Sequence, residues 1–413
     1  MSSISGSGTA VKSALDIKQL QLHWLLQITK AINYNLPSEK LFQIYLSVLK
    51  DQLHVSKLVL LVNEGTWNVA AKYGIDDEIP FTSTEDFATC VSKLSENHNT
   101  ENDWMKQFET VIPVLHKDIP LAYALIGGVD SKIFHSKREV ITYIHTITNL
   151  VVVAIENKRL TEESIHQAAM ERELQLAAQM QSMLFPVSIV SHEMLDMAAT
   201  YIPHQSVGGD YYDFIQLNTD ESLVCMADVS GKGISAALLM SNFQANLHAL
   251  IKHTDFTLNQ IIVELNNCVN RSAQGEKFIT FFIGKINHNT RTIQYINAGH
   301  NPPMVVNQHG LNILNKGTTG LGMFDNLPFL NEGEVDFLPG SLLFCYTDGI
   351  TEMENKNGVV FGMDHLGSLL MRYRDVNSMK ILHETLVRSF DDFRQDVELN
   401  DDVTFLSLRL HRK

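Results

Sequence analysis

The strongest constraint on the fold is a long stretch of chain without glycine or proline. Neither residue occurs from Val129 to Phe185, and these are the residues that most often interrupt a helix. Ser136 and Glu139 have the spacing of a capping box, which predicts a helix start, and Pro186 predicts its end. Roughly 45 residues at about 1.5 Å per residue would form a helix about 70 Å long.

This predicted helix carries two apolar stripes at helical spacing. The first comprises Ile141, Ile144, Ile147, Val151 and Ile155, and the second comprises Met170, Leu174, Ala177, Met180 and Leu184. A helix of this length, with no covering segment beside it in the sequence, usually pairs with a copy of itself. We therefore favour a parallel coiled-coil homodimer, with a broken helix packed on both neighbouring domains as the alternative.

The bulk composition excludes several classes of protein. A chain of 413 residues is too long for one ordinary core, so two or three domains are expected. The formal net charge of -15 argues against nucleic acid as a partner, because a phosphate backbone requires a basic surface. The N-terminus lacks the apolar segment of a secretion signal, and no continuous apolar run reaches the roughly 18 residues of a membrane span. These features, with four cysteines that form no CxxC pair, predict a cytoplasmic protein with reduced thiols and no membrane insertion.

The chain ahead of the long helix predicts a small α+β domain over residues 15–155, after a disordered lead over 1–14. Its expected elements are two helices (15–32 and 38–53), a hairpin (57–62 and 67–73) and two closing strands (110–115 and 121–129). This order of elements resembles a GAF domain, a small sensory module. The resemblance implies a small ligand between the sheet and the polar middle region, although no motif identifies one. Residues 156–186 are the predicted helical linker.

In the last part of the chain, over residues 187–413, aspartates stand at the ends of apolar strands or in turns beside them. The four segments are Gly208–Asp213, Ala227–Gly233, Tyr346–Gly349 and Asn400–Thr404. A carboxylate at a buried strand edge is costly unless it is paired or coordinated. One such aspartate is usually a turn cap, but four beside a glycine or a second acid are better explained by convergence on hard cations. No histidine or cysteine accompanies them and no EF-hand spacing is present, which favours Mg²⁺ or Mn²⁺ over Zn²⁺.

Six motifs make the prediction more specific. In order, they are GGDYYDF, ADVSGKGISAALLM, FITFFIGKIN, YINAGHNPP, LPGSLLFCYTDGITEMEN and LNDDVTFLSLRL. This series resembles the PPM-type metal-dependent serine/threonine phosphatases, and in particular their bacterial SpoIIE/RsbU branch, over about residues 172–409. The linker end QLAAQMQSMLFP also resembles that branch. The resemblance implies an αββα sandwich that holds two divalent cations, Mn²⁺ or Mg²⁺, between its sheets.

The resemblance also implies the metal ligands. Asp228 would bridge both cations, and the carbonyl of Val229 would bind one of them. Asp348 would hold one cation and Asp401 the other, with Asp402 as a neighbour or alternate ligand. We expect Asp228, Asp348 and Asp401 to be essential for catalysis.

The remaining predicted site residues are one further acid and three turn glycines. Asp210 would contact the metal cluster directly or through water. Gly209, Gly231 and Gly349 would let the backbone approach the cations where a Cβ would collide. In this mechanism two dications activate a water molecule for attack on phosphorus, and no covalent phospho-enzyme is formed.

Two positions depart from animal members of the wider superfamily. Ser230 stands where those proteins carry a histidine proposed as general acid, and the stretch before Gly208 has His204 but no arginine to bind phosphate. His300 and Lys232 are open candidates for these tasks. A structural turn histidine and a surface lysine are the competing interpretations of the two.

The expected function is therefore a regulated phosphoserine/phosphothreonine phosphatase. In the branch that the chain resembles, the usual substrate is a phosphorylated STAS-domain anti-anti-sigma protein of a partner-switching pathway. Control would pass from the GAF-like domain through the linker helix of a homodimer. The alternative is a catalytically silent dimeric scaffold or sensor that binds the same kind of partner.

Overall fold

A computed structural model describes residues 5–75, 85–86, 88–89, 91, 105–129, 136–186, 195–253 and 256–411. Most of the polar middle region, including Cys90, lies outside these residues. The chain separates into two compact units, Met1–Ala168 and Ala169–Lys413, and the boundary falls within the long helix. Each unit is described by itself.

In the part of the chain that the structure describes, the first unit contains a four-stranded antiparallel sheet and several helices. The helices are α1 (Ser5–Asn33), α2 (Ser38–Ser47, continued by a π-helical turn, Val48–Gln52) and α3 (Lys137–Ser182). The strands are β1 (Lys57–Asn63), β2 (Trp67–Tyr73), β3 (Thr110–His116) and β4 (Ile119–Gly127), in the order β2-β1-β4-β3. The predicted hairpin and closing strands are confirmed, with ends that move by one or two residues.

The expected disordered lead differs from the structure, because α1 begins at Ser5 and includes residues 5–14. Ala10, Lys12 and Ala14 are good helix formers, and they extend the helix backwards from the amphipathic segment that begins near Leu15. The sequence-based boundary followed the small polar residues at the start of the chain and missed this extension.

Alternation along β1 places apolar side chains on both faces of this sheet. Leu58 and Leu60 pack against the helices, together with Tyr45 and Ile147. Val59 and the other residues of opposite parity pack on the second face. The fold of the first unit is consistent with a GAF-like module, and that assignment stays a prediction.

Helix α3 confirms the predicted long helix, which is 46 residues in length. The backbone N–H of Glu139 donates to Ser136 Oγ at 3.3 Å, so the predicted N-terminal cap forms. An 18-residue window of α3 has a mean hydropathy of 1.3 and could cross a membrane by length and composition alone. Its Ile144 and Ile147 are buried in the core of the first unit, and the core helices of many proteins meet the same criterion.

The second unit is a sandwich of two sheets with helices on its outer faces. Its helices are α4 (Ile234–His253), α5 (Leu258–Ala273), α6 (Asp348–Thr351), α7 (Met363–Arg372) and α8 (Met379–Arg394). Its strands are β5 (Leu195–Ile202), β6 (Tyr211–Gln216), β7 (Glu221–Val229), β8 (Ile279–Asn287), β9 (Thr292–Ala298), β10 (Met304–Asn307), β11 (Gly310–Ile313), β12 (Gly317–Thr318), β13 (Gly333–Asp336), β14 (Leu342–Tyr346) and β15 (Val403–Leu410). One sheet has the order β11-β10-β14-β15-β5 and the other β12-β9-β8-β7-β6, with β13 paired to β9.

Strand alternation explains the layers of this unit. In β7, Val224 and Met226 face the core between the sheets, whereas Leu223, Cys225 and Ala227 face α4 and α5. In β14 the odd-numbered residues join the same inner core, and the even-numbered residues pack against α7 and α8. Strands covered on both faces bury nearly every side chain. The predicted αββα sandwich is confirmed.

Candidate metal centre

Strand register brings the predicted aspartates to one end of the sandwich. In the six-stranded sheet (β13 included), Tyr211 of β6 pairs with Ala227 of β7. Asp210 and Asp228 are therefore neighbours at the same end of these two strands. In the five-stranded sheet, Tyr346 pairs with Phe405, so the turn after β14 meets the turn before β15. The four aspartate motifs therefore converge from both sheets.

Asp210 is the most deeply buried of these acids, with 2% of its surface exposed. Its Oδ2 accepts a hydrogen bond from Thr347 Oγ1 at 2.9 Å and another from Thr404 Oγ1. Thr404 lies in β15 of the five-stranded sheet and Thr347 directly follows β14 of that sheet, whereas Asp210 precedes a strand of the other sheet. Sequence reasoning missed the two threonines, although each lies within two residues of a predicted ligand.

Asp402 organises the turn that leads to Asp210. Its Oδ1 accepts a hydrogen bond from the backbone N–H of His204 at 2.8 Å, and its own N–H donates to Asp401 Oδ1 at 2.9 Å. The side chain is buried. One carboxylate oxygen of Asp402 is thus committed to the protein backbone, and its role as an alternate ligand stays a prediction.

Burial and like charges raise the pKa values of the acids at this site. Burial, followed by the charges of Asp348 and Asp401, raises the pKa of Asp228 to about 8. Burial and the charge of Asp228 raise the pKa of Asp210 well above its usual value. The pKa of Asp348 rises to about 6, first through burial and then through Asp401. Carboxylates this close share protons unless positive charge compensates them.

The donor chemistry and the backbone fit a hard divalent cation. A Cβ at position 209 would lie 2.9 Å from the carbonyl oxygen of Val229, and one at position 349 would lie 2.0 Å from that of Asp402. Both positions therefore require glycine. Among the described residues, no three acidic, histidine or cysteine side chains already form a closed ligand cluster. The fit rests on the all-oxygen donors and on their unbalanced negative charge.

The turn after Asp228 is held by contacts that occupy Ser230. Its Oγ accepts a hydrogen bond from the N–H of Phe278 at 2.9 Å, and its carbonyl accepts one from Lys277 Nζ at 2.9 Å. Gly231 follows with a φ of +83°, a conformation that glycine adopts without strain. Ser230 therefore acts as a structural residue of the turn.

Lys232 lies at the mouth of the site. Its Nζ is 2.8 Å from Asp401 Oδ2 and also donates to the carbonyl of Asn400. The Lys232 side chain is 42% exposed, and it lines the same pocket as Asp228 and Asp401. The structure thus pairs this lysine with a predicted metal ligand, which the sequence alone did not indicate.

His300 is buried close to the strand that carries Asp228. Its Nδ1 is 2.9 Å from Thr280 Oγ1, and its backbone N–H donates to Asn297 Oδ1 at 2.7 Å. Burial lowers the pKa of His300 to about 3, with partial opposition from the backbone of Tyr346. The imidazole is neutral at physiological pH and cannot serve as an imidazolium acid.

Comparison with known proteins identifies the second unit. Residues 218–411 match the family model described as Stage II sporulation protein E (SpoIIE). The match assigns residues 218–411 to a SpoIIE phosphatase domain. The predicted family and the predicted enzyme class, a PPM-type serine phosphatase, are both confirmed.

Similar proteins support the same assignment. The chain is 27% identical over 248 residues to phosphoserine phosphatase RsbU of Bacillus subtilis. This alignment covers 59% of this chain and 71% of RsbU. It is 24% identical over 187 residues to phosphoserine phosphatase RsbP of the same organism, covering 44% of this chain and 46% of RsbP. The chain thus spans less than half of RsbP. Among solved structures, the SiaA-PP2C domain of Pseudomonas aeruginosa has the same fold, with a TM-score of 0.53, 20% identity, and coverage of 59% of this chain and 98% of that domain.

Proposed function

We propose that this SpoIIE-family domain removes phosphate from phosphoserine or phosphothreonine on a regulatory protein of a bacterial partner-switching pathway. The observation that carries the proposal is the convergence of aspartates from both sheets at one end of the sandwich. Two relatives named phosphoserine phosphatases support the choice of substrate residue. A STAS-domain protein is the proposed partner, because such proteins are the usual substrates of the branch that the sequence resembles.

We propose that Asp228, the Val229 carbonyl, Asp348 and Asp401 would together hold two divalent cations. Bound Mn²⁺ or Mg²⁺ would lower the pKa of a water molecule and neutralise charge on the phosphate. Asp210, which lies beside Asp228 at the six-stranded sheet, would support the cluster, because two threonine hydroxyls fix the position of its carboxylate. These residues fit PPM-family metal dependence through their donor chemistry.

Three residues near the aspartates, Lys232, Ser230 and His300, are candidates for binding the phosphoryl group or protonating the leaving group. Lys232 is a cationic side chain at the mouth, and it would meet phosphate oxygens when it leaves Asp401. Ser230 is committed to the turn and His300 is neutral, so neither is a candidate for the cationic acid of the leaving group.

A groove adjoins the site and can accept a segment of a protein substrate. It has a volume of about 480 Å³ and shares Lys232 and Asp401 with the metal pocket. Its lining combines Met353, Val360 and Leu399, which offer apolar contacts to the residues on either side of a phosphoserine, with three acids, Glu352, Glu354 and Glu398. A small phosphate ester would leave this groove empty, which supports a protein as the substrate.

Control by the first unit through a dimeric linker is also part of the proposal. Met170 and Met180, which belong to the second apolar stripe of α3, are 59% and 72% exposed. An apolar stripe exposed in one chain can be covered by the same stripe of a second chain. The GAF-like module would then influence catalysis through helix α3, with or without a small ligand.

The test measures phosphate release from a phosphoserine STAS-domain protein by the full chain. Release should require Mn²⁺ or Mg²⁺, and Asp228→Asn should reduce it at least about 100-fold, because a central ligand is lost. Asp220→Asn is the matched control, since this aspartate is exposed in a turn and its substitution should leave the rate unchanged. If the wild-type chain hydrolyses no phosphoprotein at saturating metal, the scaffold alternative replaces the enzyme.

A further inference from the structure

The last turn of helix α3 contains one buried polar side chain, Gln181. It is 6% exposed, whereas Gln179, Met180 and Ser182 around it are exposed. Its Nε2 donates to the carbonyl of Gly208 at 2.7 Å, and its Oε1 accepts from the N–H of the same residue at 3.2 Å. Both polar ends of the amide are therefore satisfied by the backbone of a single glycine.

The end of the helix is anchored beside this contact. The ring of Phe185 packs against Tyr212 at 5.0 Å and Tyr201 at 5.1 Å between centroids. These aromatic contacts fix the position of the chain just after Gln181. They leave the two hydrogen bonds as the polar link between α3 and the turn at Gly208.

The Gly208 backbone lies directly against the metal centre. A Cβ at position 208 would lie 1.9 Å from Asp402 Oδ2, so Gly208 and the Asp402 carboxylate are in contact. Two residues later the chain reaches Asp210, which is 2% exposed. Gly208 alone thus separates Gln181 from the Asp402 carboxylate, and Gly208 and Gly209 together separate Gln181 from Asp210.

We propose that Gln181 is a positioning residue of the metal centre, which fixes Gly208 and thereby the places of Asp402 and Asp210. The inference rests on the proposed function in one respect, namely that this centre binds divalent cations. Adjacent residues of a helix differ by about 1.5 Å in rise, and hydrogen bonds of this kind do not survive such a displacement. A shift of α3 by one residue would therefore release Gly208, which makes Gln181 the contact through which the linker acts.

The experiment compares Gln181→Met with Gln179→Met in the full chain. Methionine keeps the length and approximate shape of glutamine but removes both hydrogen bonds. Mn²⁺ binding is measured directly, by electron paramagnetic resonance of the free ion, and folding is measured by calorimetry. Gln181→Met should weaken Mn²⁺ binding about tenfold, as loss of a group that orients metal ligands commonly does. Gln179→Met, at an exposed position of the same turn, should bind Mn²⁺ as the wild type does.

An unchanged Mn²⁺ affinity in folded Gln181→Met would overturn the inference, and a lower melting temperature alone would make Gln181 a structural residue only. If Gln181→Met fails to fold, Mn²⁺ binding is measured on Gln181→Glu instead. It keeps one acceptor for the Gly208 N–H but places a carboxylate against the Gly208 carbonyl, so weaker Mn²⁺ binding is again expected. Because the readout is binding, a chain that hydrolyses no phosphoprotein would refute the proposed function and leave this result interpretable.

Discussion

Replacing Gly349 by alanine tests whether the two loops that carry Asp348 and Asp401 must stay in contact. An alanine Cβ would lie 2.0 Å from the carbonyl oxygen of Asp402 and 2.9 Å from its carbonyl carbon. Real Cβ atoms essentially never approach closer than 3.0 Å. Since both partners are backbone atoms, no side-chain rotation relieves the overlap, and the loops must separate by about 1 Å.

A separation of this size has two expected consequences. Misplacement of catalytic groups by about 1 Å can reduce the rate about 100-fold. Inserting a methyl group into a packed site costs about 1–3 kcal/mol of folding free energy. For a domain of this size each kcal/mol lowers the melting temperature by about 2–4 °C, so a decrease between about 2 and 12 °C is expected.

The assay follows initial rates of phosphate release from a phosphoprotein across a Mn²⁺ titration, with calorimetry for stability. Calorimetry is needed because Trp24, Trp67 and Trp104, the three tryptophans of the chain, precede the phosphatase domain. Gly367→Ala is the control. Gly367 lies in α7, where the nearest atom to a new Cβ is a mobile methyl group of Leu311 at 3.2 Å.

A rate for Gly349→Ala within threefold of the wild type, with the same Mn²⁺ dependence, would refute the reasoning. It would mean that the contact between the two loops does not set the position of the aspartates. An equal loss in Gly367→Ala would also refute it, since the effect would then arise from the stability of the domain.

Two further predictions concern acid stability and the linker. Burial lowers the pKa of His383 to about 3, so below its unfolded pKa only the unfolded chain takes up this proton. Stability should therefore fall as the pH decreases from about 6.5 toward 3, by up to about 1.4 kcal/mol per pH unit. His383→Gln should flatten that slope in denaturant titrations, and an unchanged slope would exclude this residue as the cause. Ala177→Pro should break α3 and abolish activity or its regulation; unchanged activity, regulation and dimer mass in light scattering would count against the linker mechanism.

The strands and the aspartates could be predicted because both are local signals. The continuous apolar run from Leu223 to Met226 indicates a strand buried on both faces, and the structure places these residues in two different cores. An acid at the end of an apolar strand, such as Asp228, can likewise be recognised without knowing its partners. The motif series then gave the sandwich through its resemblance to a family.

Contacts between distant parts of the chain were not predictable in this way. Thr347 and Thr404 reach Asp210 across 137 and 194 residues, and periodicity carries no information about such pairings. Gln181 was visible only as one of several glutamines on a helix, because its neighbour Gly208 is brought to it by the fold. The start of α1 was missed for another reason, since helix propensity near a chain end is a weak local signal.

The hydrogen bonds from Thr347 and Thr404 to Asp210 connect one sheet to the other, so the residues of the centre also hold the two sheets together. A partly unfolded molecule that kept only one sheet would retain only part of the ligand set, and it should have no activity. Ions that bind across this seam would favour the closed form by about 1.4 kcal/mol for each tenfold rise in concentration above the dissociation constant. The supply of metal would then determine the stability of the sandwich as well as the rate of hydrolysis.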